Sequence, residues 1–259
     1  MKKSKYLEYR AVRSANRDVF LLDHRDFFET NENLHIGLGA LAGGLRGKRD
    51  IDGKTYASFV PFIALMQRQL FSAFDHLASY QAYQAWVMIR PAVEIPLIMK
   101  KWIDDPACAE VWKNRQNDPK QYAAEYSGKK MRSAGLPRSD EIQRVLKVLN
   151  DNFTHPNPFY YHRHLSLTPV EFGAVSIRVE YFDEQDTIEA HVLAILHLVA
   201  VLHDSTREIL MRLVSGIPSS IEHVPRIEDR FGSRACAIAN SLATSKDLLC
   251  ELGCWPEFK

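Results

Sequence analysis

Two charged residues stand out because their surroundings are apolar. Arg90 and Glu94 lie four residues apart inside the stretch from Trp86 to Met99. On a helix that spacing puts both side chains on one face, where a guanidinium and a carboxylate meet. A lone charge among apolar neighbours is very costly, so the segment requires the pair. His155 is the second candidate. It closes the run Asn150-Asp151-Asn152-Phe153-Thr154-His155-Pro156-Asn157-Pro158. A helix C-terminus favours a protonated imidazole, and the prolines stop the helix. In a catalytic arrangement, His155 would be the general acid or base. Arg90 would stabilise charge developing on a phosphorus centre, and Glu94 would orient Arg90.

A set of binding candidates surrounds these three. On one continuous helix, Arg68, Ser72, Asp75, Ser79, Tyr83 and Arg90 share a side. A solvated face is richer in Lys and Glu, whereas this mixed, partly aromatic stripe suits the wall of a polar cleft. Arg68, Asp75 and Tyr83, with Asn150 and Asn157 beside the His-Pro corner, are therefore assigned to binding. The competing account is structural: a paired, solvated face, and a C-terminal cap on a rigid turn.

Better-known motifs fail. Gly43 to Lys48 is one residue too short for a phosphate loop, and no Ser or Thr follows the lysine. Gly37-x-Gly39 has no third glycine where a dinucleotide fingerprint needs one. His191, His197 and His203 recur every six residues, a step of about 240° on a helix, so the three rings diverge and form no single-helix metal site. Cys250 and Cys254 share a helix face, but no second half-site accompanies them. No pair of Glu-x-x-His motifs on two helices occurs, which speaks against a di-iron bundle. No metal and no cofactor is expected.

The elements that must position these residues read as helices. A first helix is expected within Tyr6–Phe28, and a short one in the glycine-rich Asn31–Gly53, capped by Asn31 or Asn33. Apolar residues at helical spacing mark 58–103, with a kink or restart near Arg90 because Pro91 and Pro96 follow. A helix is expected around Gln121, and another from Ser139, as its cap, to about Phe153. Alternation from Val175 to Tyr181 gives a strand, paired with 165–172 through Gly173-Ala174. The strongest helix runs from Asp186 to about Ser215, and a last one from about Ser233 to Leu252.

The fold class that follows is all-α, mainly a helical bundle, with one small antiparallel β-hairpin. The 259 residues are taken as one domain, in segments 1–57, 58–158, 163–183 and 186–252. With 33 basic and 32 acidic side chains, no global pull toward nucleic acid or anionic membrane exists. Lys129, Lys130 and Arg132 form a small basic patch, read as solvated surface. No leader or spanning segment is visible, and few cysteines point to a reducing, cytoplasmic setting. Helix 186–215 is apolar on more than one side, which points to self-association through it.

The Arg-x-x-x-Glu helix, then Trp102 with Asp104-Asp105-Pro106, then a helix ending in the Asn-rich His-Pro turn, resembles uncharacterised bacterial helical families. Some of these are similar to nuclease-related helical domains of defence systems. The resemblance spans about Arg68 to Pro158. Ribonucleases of that kind carry an Arg, then four to six residues, then a His. Arg17 and His24 fit that formula by chance at the wrong end of the chain, and no Arg stands so before His155. Two functions are carried forward. The first is a non-catalytic helical module that oligomerises and binds a small ligand or a protein. The second is a metal-independent ribonuclease or toxin-like enzyme with RNA as substrate.

Overall fold

The apolar run expected as one helix from 58 to 103 is two, and the break lies at Ser79–Gln81 rather than near Arg90. In the computed structural model, helix α3 spans Thr55–Ala78 and α4 spans Ala82–Asp104. Tyr80 sits between them with φ 57, a left-handed conformation that no helix continues through. Asp183 fixes this corner from across the chain. Its amide donates to the Tyr80 carbonyl at 2.9 Å, and its Oδ2 accepts from the Ala82 amide at 2.7 Å, capping the start of α4. Pro91 and Pro96 are absorbed within α4. Each forfeits one hydrogen bond, and the buried neighbours Trp86, Ile89, Val93 and Leu97 hold the helix in place.

The structure describes residues 4–45, 55–131, 135–154, 165–170, 175–179, 181–183, 185–213, 230–231 and 233–234. Helix α1 (Lys5–Asp23) and helix α2 (Arg25–Gly44) precede α3. The glycine-rich stretch, as far as Gly44, is thus the later part of one long helix. Asn31 is buried in mid-helix and caps nothing, because Phe27, Leu34, Leu38 and Leu41 give α2 a strong apolar face. After α4 come α5 (Ala107–Lys113), α6 (Pro119–Tyr126) and a 3₁₀ turn (Gly128–Met131). Asp118 caps α6 by accepting from the Gln121 amide at 2.9 Å.

Helix α7 (Ser139–Val148) passes into a π turn, Leu149–Thr154. Ser139 is its first residue and not its cap; the cap position belongs to Arg138, with φ 58. The hairpin pairs β1 (Leu165–Pro169) with β2 (Val175–Val179) in antiparallel register, Leu165 opposite Val179 and Pro169 opposite Val175. The last long element is α8 (Gln185–Leu213). All-α architecture with one small hairpin is what the described residues show. The C-terminal helix expected to 252 falls largely outside them.

Helix α8 is the axis of the bundle. Every residue from Ala190 to His203 is buried, with α2, α3, α4 and α7 packed around it. It is long and apolar enough to span a membrane by composition, yet 83% of its most apolar window lies inside the protein. Over Ala190–His203 the second apolar face of that helix, expected as a subunit contact, is covered within the chain. Its three histidines diverge as their spacing requires. His191 Nδ1 accepts from Trp86 Nε1 at 2.9 Å, His197 Nε2 lies 3.2 Å from Glu141, and His203 Nδ1 lies 3.5 Å from Asp204.

Candidate functional site

Arg90, Glu94 and Ile98 follow one another at one-turn intervals along α4 and form one wall of a cleft. The second wall is α6, with Tyr122 and Tyr126, whose rings stack at 5.1 Å. The third is α7 and its π turn, with Gln143, Arg144, Lys147, Asn150 and Asp151. The cleft has a volume of about 810 Å³, within the range of small-molecule sites.

The pair foreseen on α4 forms: Arg90 Nε donates to Glu94 Oε1 at 3.2 Å. It is half-exposed and faces the cleft, whereas Trp86, Ile89, Val93 and Leu97 of the same stretch turn to the core. A second anchor was not visible in the sequence: Arg90 Nη1 donates to Asn150 Oδ1 at 2.5 Å, across 60 residues. The π turn brings Asn150 there, since widening a helix by one residue per turn re-aims side chains. It also buries Phe153, which stacks on Trp86 at 5.8 Å, while its carbonyl accepts from Tyr83 Oη at 3.3 Å. The guanidinium is thus held from two helices.

Two cations opposite are differently placed. Arg144 and Lys147, both exposed on α7, have no counter-ion among the described residues. Tyr126 roots the aromatic wall. Its hydroxyl accepts from Trp102 Nε1 at 2.8 Å and donates to the Cys108 carbonyl at 2.5 Å. Burial raises the Tyr126 phenol above its ordinary range, so it stays neutral, and burial with the neighbouring Asp105 pushes the Cys108 thiol up to about 11.

A charged cluster behind the cleft fixes α7 to α8. Arg138 grips Glu141 with two bonds, Nε to Oε1 at 2.7 Å and Nη2 to Oε2 at 2.9 Å, and reaches Asp204 at 3.3 Å and His197 at 3.2 Å. Burial alone would raise the Glu141 carboxyl. Hydrogen bonds from His197 and Arg138, with their charges, outweigh it and hold the group at about 2. The Arg138-x-x-Glu141 spacing was the only sequence trace of this cluster.

The polar stripe 68–90 does not line one wall, because the turn at Tyr80 divides it. Arg68 and Ser72 border a separate groove of about 580 Å³ between α2 and α3, beside Glu32, His35, Ile36 and Phe71. Asp75 is taken up by Arg13 at 3.3 Å and Arg17 at 3.4 Å of α1. Tyr83 packs on Phe153, at 6.0 Å between ring centroids. So Arg90, Glu94 and Asn150 meet, and Arg68 and Asp75 do not join them. His155 and Asn157 lie outside the described residues, as do Cys250 and Cys254. No protein family, no curated protein and no solved structure matches the chain, so the functional reading rests on this chemistry alone.

Proposed function

We propose that the chain is a helical binding module whose α4–α6–α7 cleft takes a small organic anion. One observation carries this: two exposed cations without counter-ions among the described residues, Arg144 and Lys147, line the same cleft as a guanidinium already oriented by Glu94 and Asn150 and as two stacked tyrosine rings. Orienting Arg90 beforehand lowers the ordering cost that a ligand would otherwise meet. Unpaired cations on the facing wall draw anions in and are released from mutual repulsion when one binds. Stacked tyrosines offer a ring face for a planar group.

The test is calorimetric titration of the full chain with inorganic pyrophosphate and with AMP, at low and at physiological salt. Saturable binding is expected, weaker as salt rises. The double variant Arg144→Glu/Lys147→Glu should lose at least about tenfold in affinity, roughly 1.4 kcal/mol. Absence of saturable heat with both probes, or an unchanged affinity in the variant, contradicts the proposal.

A second reading is favoured by one contact. The Arg90–Asn150 bond ties the guanidinium to the π turn whose last residue, Thr154, precedes His155 in the chain. A metal-independent ribonuclease would use such a pair, and it predicts RNA cleavage in EDTA that vanishes in His155→Ala. Cleavage unchanged in that variant removes the reading.

A further inference from the structure

Helix α1 lies on the bundle with one face and leaves the other bare. Phe20 is its one buried residue, and Tyr9, Arg13 and Asn16 on the same side are half-buried. The opposite side carries Leu7, Ala11, Ala15, Val19 and Leu22, all exposed, Leu7 at 61% and Leu22 at 81%. Their spacing of three to four residues makes a continuous stripe along the whole helix, with Val12 beside it. A helix covered on one face only has no folding reason for a second apolar stripe.

We propose that this stripe is a self-association surface, pairing antiparallel with the same stripe of a second copy about a two-fold axis near Ala15. The charges bordering it favour that partner and that direction. Lys5 and Arg10 stand toward its start, Asp18 and Asp23 toward its end. None of these four has an ion pair among the described residues; Arg10 rests over the Tyr6 ring at 6.0 Å. Arg13 and Arg17 are engaged by Asp75 and leave the acidic end uncompensated. Lys5 and Asp23 share one flank of the stripe; Arg10 borders the other, and Asp18 lies on the stripe toward that second side.

In an antiparallel isologous pair, like flanks meet, so Lys5 faces Asp23 and Arg10 faces Asp18 of the other copy. The same register sets Leu7 near Leu22 and lets the small Ala11 and Ala15 pack at the crossing. A parallel pair would bring unlike flanks together at equal height, crowding Asp18 of one copy toward Asp23 of the other and Lys5 toward Arg10. Glu8 is the one charge on the stripe that gains no partner.

A helix of 19 residues is about 28 Å long at roughly 1.5 Å per residue. A single helix pair buries on the order of 1,000 Å² in total, under the ~1,200–2,000 Å² of stable complexes. The dimer is therefore weak, forming at micromolar concentrations or above. Sedimentation equilibrium of the full chain over about 1–500 μM should show the average mass climbing from 29.7 kDa toward twice that value.

Leu22→Glu should remove the rise, with an unchanged circular dichroism melt because the side chain is outside the fold. Lys5→Glu and Asp23→Lys should each weaken association about fivefold, and together restore it, since the swapped charges meet again. That rescue belongs to antiparallel self-pairing and to no other occupant of the face. A chain monomeric at every concentration, a dimer indifferent to Leu22→Glu, or a double charge swap without rescue overturns the proposal. The anion cleft is untouched by any of these outcomes.

Discussion

Glu141→Gln removes the carboxylate that Arg138 and His197 share, and its cost can be worked from the titration of that group. In the folded protein the carboxyl sits at about 2, against an ordinary 4.5. A difference of roughly 2.5 units corresponds to about 3 kcal/mol. Glu141 keeps 24% of its side chain exposed, so the usable figure is nearer 2 kcal/mol after solvent screening. The folded value is the depressed one. The stabilisation is therefore complete above pH 4.5 and disappears as pH falls toward 2. Wild type and Glu141→Gln should differ by about 2 kcal/mol in urea unfolding at pH 7, and by half of that or less at pH 3. Other carboxylates titrate in both proteins and cancel in the difference. A gap that stays constant from pH 7 to pH 3 would refute the assignment of the depressed value to the Arg138–His197 cluster. Because α7 carries Arg144 and Lys147, the variant should also weaken anion binding while leaving both cations in place.

Other perturbations test other joints of the fold. His35 is 6% exposed, neither ring nitrogen has a partner among the described residues, and burial lowers its titration to about 4. Its contribution is present above pH 6.5 and lost as pH falls toward 4, so His35→Leu should flatten the stability profile over that window. At pH 7 the same substitution should stabilise by about 1 kcal/mol, since it removes two buried unpaired nitrogens at the cost of one ring contact with Phe71; a lower Tm in His35→Leu would count against it. Phe153→Ala should cost about 3–5 kcal/mol in chemical denaturation through lost packing on Trp86 and Tyr83. It should also impair anion binding, because the π turn that places Asn150 loses its buried anchor. Asp183→Ala uncaps α4 and should cost about 1–2 kcal/mol by the same assay.

The sequence carried the helices whose apolar spacing was unambiguous, the hairpin from its alternation, and the Arg90–Glu94 pair from its one-turn interval. It misplaced the break in 58–103. Proline is the visible helix breaker, yet Pro91 and Pro96 are held by packing, while Tyr80 adopts a left-handed turn that only its partner Asp183, 103 positions on, explains. A single rod over 58–103 would set Arg68 and Asp75 beside Arg90; the turn at Tyr80 sends them to other surfaces. The sequence shows Asn150 only as a neighbour of the His-Pro corner; its bond to Arg90 depends on a π turn with no sequence signature. Helix α8 showed its apolar character fully. What the string could not show is that four other helices cover both faces, which moves the uncovered apolar stripe to α1.

The central claim is that Arg90, Arg144 and Lys147 act on one anion in one cleft. The most direct measurement is two-dimensional ¹H–¹⁵N NMR of the arginine Nε–Hε groups during titration with pyrophosphate. Arg90 should give a resolved signal in the free protein, because Glu94 and Asn150 hold it. It should then shift together with Arg144 along one saturable curve, and Asn150→Ala should broaden the Arg90 signal and weaken the curve. Shifts that never saturate, or that centre on Arg68 in the α2–α3 groove while Arg90 stays still, would contradict it.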